Sequence, residues 1–307
     1  MNVLTDAVGF FGQALVEAVL VGALAGLVGV LVVLRKRTFF ATALTHATFP
    51  GGIMAVLLGW NVLIGNAIFA VVLTMVMLAL TTWFHQRAAV ASGVVLTGGF
   101  ALSTVLTGLN PSLPIRVQTF LTGSILAVDL PDVQFAGVLL AISIVAIALL
   151  RRQLLFSTFD PAGYEASGFR GWRIDAVVLV LITATVVALM PAVGAILSIA
   201  LLAAPALAAA QLTVSMRGML IVAPIIGAAS GVVGLLVSAR WPVPAGPAIV
   251  LSATGTLLVA WLLRRALRLV RRGGANPASA RGPLRAAAAH ENREVARSED
   301  SSSRAAG

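Results

Sequence analysis

Two ionisable side chains, Glu17 and His46, lie inside long apolar stretches of the chain, and Thr42 stands four residues before the histidine. A carboxylate or an imidazole in hydrocarbon is costly unless it is paired or used, so each marks a candidate ion pathway. Positions four apart stack on one helix face, which places Thr42 and His46 side by side. With no cysteine in the sequence there is no thiolate site, and any metal ligand must be a nitrogen or oxygen donor. Quieter readings stay open: Glu17 can snorkel to the outer interface, and His46 can end a helix bonded to a backbone carbonyl.

The elements that must hold these groups follow from composition. Of 307 residues, 59% are hydrophobic and 10% charged, with a mean hydropathy of +1.02. Ordinary soluble domains are about 25% charged, so this is a polytopic membrane protein. Its apolar runs are about 18 to 22 residues long, enough to cross a hydrocarbon core of about 30 Å. Asp6 before the first run, and the lack of a basic leader with a small-residue cleavage site, argue against a cleaved signal peptide. The net charge of +10 gathers at the ends of runs, which fits the positive-inside rule and not nucleic-acid binding.

Flanking charges orient the runs. The first, 14–34, ends at Arg35-Lys36-Arg37, an inside marker that puts the N-terminus outside. Further spans are expected at 43–58, with a Pro50-Gly51-Gly52 break inside it just after His46, then at 62–84, 89–108, 133–150, 174–190 up to Pro191, 193–212, 217–238 and 245–263. Residues 116–128, broken by Gly123 and Ser124, read as a re-entrant or interfacial helix on the outer side. The expectation is an all-α polytopic membrane protein of about nine transmembrane helices, within a range of about eight to ten. Its parts are an outside N-terminus at 1–13, a transmembrane domain at 14–263 with an inside segment at 153–173, and a basic, then disordered inside tail at 264–307. The glycines Gly22, Gly26, Gly29, Gly227, Gly231 and Gly234 suit close helix packing in lipid.

Other chemistry is excluded by what is missing. Lys36 is the single lysine and no G-x-x-x-x-G-K precedes it, so this chain hydrolyses no ATP through a P-loop. No acidic residue falls between Asp175 and Glu291, which disfavours a secondary transporter coupled through carboxylate chains. A scaffold with no transport role would make His46 dispensable. In the inside segment, Asp160 and Pro161 read as the N-cap and first residue of a short helix that could dock a partner, with a plain connecting loop as the other reading.

Four motifs in order carry a resemblance over residues 14–263. Thr42-Ala43-Leu44-Thr45-His46-Ala47, followed by Pro50-Gly51, is similar to D-x-L-[SA]-H-[AS]; Leu121-Thr122-Gly123-Ser124-Ile125-Leu126-Ala127-Val128 is similar to L-F-G-S-I-L-A-V. Val193-Gly194-Ala195-Ile196-Leu197 with Pro205-Ala206 is similar to V-G-x-L-L…P-A, and Pro244-Ala245-Gly246-Pro247-Ala248-Ile249-Val250-Leu251 to G-x-x-I-V-L. The chain resembles the permease subunit of metal-type ABC importers, which take up zinc, manganese or iron. That resemblance implies a homodimer in a bacterial cell membrane, a separate cytoplasmic ATP-binding subunit, an extracytoplasmic metal-binding protein, and a divalent metal as cargo. It also implies that His46, with Thr42 and Glu17, lines the metal pathway. Phe159, Asp160, Pro161, Gly163, Tyr164, Glu165 and Gly168 would engage the ATPase, and Arg116, Asp129 and Asp132 the binding protein. Two departures stand out: Thr42 replaces the family's aspartate, and Ala88-Ala89 replace its acidic pair after the third span. A hydroxyl is a poor ligand for a divalent transition metal.

Overall fold

Helices account for nearly all of the ordered backbone, because sequence this apolar can satisfy its N–H and C=O groups in a membrane only internally. The computed structural model describes residues 2–84, 86–110, 123–241 and 243–273. In chain order the helices are α1 (Asn2–Leu34), α2 (Thr38–Ala47), α3 (Phe49–Leu57), α4 (Val62–Thr82), α5 (Ala88–Leu109), α6 (Leu130–Phe159), α7 (Pro161–Ala166), α8 (Gly171–Val193), α9 (Ala195–Leu212), α10 (Met216–Arg240) and α11 (Ala245–Gly273). A short 3-10 turn, Ile125–Ala127, precedes α6. Among the described residues nine segments are long and apolar enough to cross a membrane, with α2 and α3 together forming the second.

The central helix is α1, packed against α10, α9, α6 and α8. Its approach to α10 is close because small residues face each other: a methyl added at Gly22 would strike the backbone of Gly227, and one at Gly26 that of Ala223. Gly231 abuts Ala18 in the same way, and Gly234 meets Ile249 of α11. Between lipid-soluble helices it is this van der Waals contact, and not water exclusion, that drives association. A buried hydrogen bond, Thr74 to Thr183 at 2.6 Å, ties α4 to α8. Large side chains such as Ile68, Val72, Met75, Val138, Ile142 and Val145 point outward, as on a surface facing hydrocarbon.

Several boundaries differ from expectation. Pro191 lies inside α8; the helix ends at Gly194, whose φ of 88° is open to glycine but strained for other residues. Pro50 does not break the second span either. Thr48 keeps helical angles and Pro50 sits in the first turn of α3, where a missing N–H costs nothing. The polar segment after the fifth span is also shorter than expected, since α6 runs on to Phe159. Most of the predicted outer helix at 116–128, and the tail beyond 273, lie outside the described residues. The described residues up to Trp261 form one compact unit, and a second begins at Leu262 within α11.

Candidate functional site

The α2–α3 segment is held by close backbone contacts on its inner side. Gly51 and Gly65 leave no room for a methyl between α3 and α4, and Gly99 of α5 presses on Ala47. Thr48 donates its hydroxyl hydrogen to Met190 Sδ at 3.8 Å, fixing the α2–α3 junction to α8. The opposite face of the segment, Phe39, Thr42, His46 and Phe49, is only partly covered. Thr42 Oγ1 donates to Thr38 O at 3.0 Å, so its hydroxyl is tied to its own helix. Among the described residues the His46 side chain makes no hydrogen bond, so the imidazole does not serve as the carbonyl-bonded helix end that its sequence position allowed. A half-covered imidazole at the middle of a membrane-length segment can take up a metal ion through a ring nitrogen.

Glu17 does not snorkel to an open surface: it is 1% exposed, with its Oε2 unpartnered among the described residues. Nor does it join the histidine. Among the described residues no hydrogen bond or ion pair links the two, and they stand on different helices, Glu17 on α1 and His46 on α2. Among the described residues no group of three or more His, Asp or Glu side chains comes together. Thr42 and His46 are brought together; Glu17 stands apart. Sequence reasoning missed four further buried polar atoms that have no partner among the described residues: Arg37 Nη1, Asn66 Oδ1, Ser143 Oγ and Ser230 Oγ.

At the basic end of the bundle the turn from α1 to α2 is a Schellman motif: Arg37 N–H donates to Val32 O at 2.8 Å and Lys36 N–H to Val33 O at 3.2 Å. Lys36 occupies the left-handed position, φ 55°, usually given to glycine. The motif aims both flanking arginines at α8. Arg35 Nη1 donates to Asp175 Oδ1 at 2.7 Å, and Arg37 Nη2 to Asp175 Oδ2 at 2.8 Å. Arg35 also donates to Thr158 Oγ1 at 3.1 Å, to Ser157 Oγ and to Leu154 O, gripping the last turn of α6. Burial pushes the Arg35 guanidinium below its ordinary range, and Asp175 pulls it back up. The sequence signal was present in Asp175, the last acidic residue before Glu291, among inside arginines.

The α7 helix hangs between α6 and α8. Asp160 is its N-cap, accepting from Gly163 N–H at 2.9 Å, and Pro161 opens it, as expected. A methyl at Gly163 would strike the capping carboxylate, which would have to shift to admit it. Phe159, Asp160, Pro161, Glu165 and Gly168 are exposed, Gly168 at φ 82°. Tyr164, expected at the docking face, is instead 3% exposed, edge-on to Phe156 and stacked on Phe169 at 5.1 Å. An apolar ring on a six-residue helix gains more by anchoring it than by facing water, so Tyr164 holds the helix in place.

At the other end Asp132 Oδ2 accepts from Asp129 N–H at 3.3 Å, and the two carboxylates form the capping box of α6. Both have a local structural task there. Arg116 lies outside the described residues.

Comparison with known proteins finds consistent relatives. The family described as the ABC 3 transport family matches residues 7–264. A manganese transport system membrane protein of Listeria monocytogenes is 30% identical over 253 residues, 82% of this chain and 90% of that protein. A zinc transport system membrane protein of Treponema pallidum is 36% identical over 248 residues, 78% of this chain and 83% of that protein. Among solved structures, PsaBC of Streptococcus pneumoniae, in complex with an antibody fragment, aligns with a TM-score of 0.74 at 29% identity, covering 85% of this chain and 95% of that one.

Proposed function

The chain belongs to the ABC 3 transport family, and from that premise we propose that it is the membrane-spanning half of an ATP-driven importer of a divalent transition metal, zinc, manganese or iron. Two copies would enclose the pathway. A separate ATP-binding subunit docks on the inside and an extracytoplasmic binding protein delivers the ion. The N-terminus faces outward and the C-terminal tail inward, in keeping with the arginines at 35, 37, 151, 152, 170 and 173 gathered at one end.

The single observation that carries this reading is the unpartnered His46 on the half-covered face of α2. Imidazole is a ligand suited to zinc and iron, while manganese favours oxygen donors. Thr42 contributes a hydroxyl in place of a carboxylate, so the ion is held weakly and released easily, which suits passage more than storage. Glu17, buried on α1, is a second station on the way. On the inside, Phe159, Asp160, Pro161, Glu165 and Gly168 offer the ATPase its contact surface, with Gly163 and Tyr164 shaping it from within. Outside, Asp129 and Asp132 at the rim of α6, with Arg116, meet the binding protein. ATP binding and hydrolysis on the partner rock the dimer between outward and inward access.

The test is to extract the tagged chain from its native membrane in mild detergent and identify what stays bound by mass spectrometry. A stoichiometric P-loop ATPase supports the importer. A well-folded protein that reproducibly lacks one favours the self-contained, ion-coupled transporter instead.

A further inference from the structure

The Arg35–Asp175–Arg37 cluster sits where three elements meet. Arg35 grips the last turn of α6 through Leu154 O, Ser157 and Thr158, and Asp175 belongs to the second turn of α8. Those two segments bracket α7 in the chain, so a push on α7 reaches both. Arg37 is the N-cap of α2, and Ala41 N–H donates to Arg37 O at 3.1 Å, so the helix runs unbroken from there to Ala47. His46 is nine residues along it, about 13 Å at 1.5 Å per residue.

Two further features show that the cluster is not a saturated anchor. It sets two guanidinium groups against one carboxylate, and Arg37 Nη1 is buried without a partner among the described residues. A buried donor left over in a network calls for an explanation, and an acceptor reached in a second arrangement supplies one. Beside the cluster lies a cavity of about 560 Å³, lined by Arg35 and Asp175 together with Thr81, Tyr164 and Trp172. It leaves room for α7 to move toward Arg35.

We propose that Asp175 is a positioning residue of transport: through Arg35 and Arg37 it carries movement of the α7 segment to α2 and so to His46. The proposal rests on the importer reading above. The Asp175 carboxylate acts through the two arginines and touches no cargo. Its loss leaves the ATPase docked and turning over while α2 no longer follows.

The experiment reconstitutes the complete complex, with its ATPase and binding protein, in proteoliposomes, and reads Mn²⁺ or Zn²⁺ uptake and ATP hydrolysis on the same vesicles. In Asp175→Asn the ions moved per ATP hydrolysed fall by about fivefold or more, the size of an ordinary coupling between sites, while ATP turnover stays within about twofold. Asp175→Glu restores most of the ratio, and adding Arg37→Gln to Asp175→Asn lowers it no further. If Asp175→Asn fails to assemble, Arg37→Gln alone is read the same way. An unchanged ratio in the variant that assembles, or loss of uptake only in proportion to protein yield, overturns the relay. A wild-type complex that moves no metal with ATP overturns the importer reading itself.

Discussion

Gly22 and Gly227 lie backbone against backbone where α1 crosses α10, and neither position has space for a methyl group. That contact, repeated at Gly26 with Ala223 and at Ala18 with Gly231, seats the central helix. Gly22→Leu therefore overpacks the crossing and costs about 1–3 kcal/mol. Gly12, with nothing within 4 Å of an added Cβ, tolerates alanine within about 0.5 kcal/mol. Thermal melting of the two purified variants in one detergent checks the difference; equal melting temperatures would remove the close crossing from the account.

Adjacent glycines on α5 separate packing from propensity. Gly98 faces open space, so Gly98→Ala raises stability by up to about 1 kcal/mol through helix propensity. Gly99→Ala meets the backbone of Ala47, one residue from His46, and displaces α2. Metal uptake per unit of protein falls in Gly99→Ala and holds in Gly98→Ala. The same uptake in both variants would show that the seat of α2 is not critical.

The cap of α7 has a chemical signature. Asp160→Ala removes the oxygen that Gly163 N–H uses and loosens the helix by about 1 kcal/mol, whereas Asp160→Asn keeps an equally good cap. Affinity for the ATPase subunit, measured by titration in detergent, drops about fivefold in the first and little in the second. A loss in Asp160→Asn equal to that in Asp160→Ala would mean that the charge, and not the cap, makes the contact.

Thr42→Asp places a carboxylate one turn from His46 on the same face, which converts a weak ligand pair into a strong one. The purified variant retains more Zn²⁺ through dialysis than the wild type, and its uptake slows because release slows. Metal content indistinguishable from wild type would separate Thr42 from the pathway.

Much of the architecture could be read from run lengths and flanking charge, because a bilayer imposes both. The positions of Arg35-Lys36-Arg37, Arg87 and Arg217 marked span ends that the structure keeps. Glycine and proline were less legible. Pro50, Gly51 and Gly52 look like a break in isolation, but in lipid they are what lets α3 press on α4. Likewise the helix ends at Gly194 for its backbone angle, and Pro191 passes within it. The burial of Glu17, which is 1% exposed, comes from the helices packed around α1 and is not written in its own apolar run. The cluster at Asp175 left only a partial trace, one acidic residue among inside arginines, because its partners Arg35 and Arg37 are 140 and 138 residues away and only the packed bundle joins them. Tyr164 carried no local sign of which way it would point.

The most direct measurement follows radiolabelled manganese or zinc into proteoliposomes holding the wild-type complex or His46→Ala, at matched protein content. Accumulation that requires ATP and the binding protein, and that falls in His46→Ala while the protein stays folded, is the result expected of a metal importer with His46 in its pathway. Uptake driven by an ion gradient without ATP, or ATP-driven uptake untouched by His46→Ala, would contradict it.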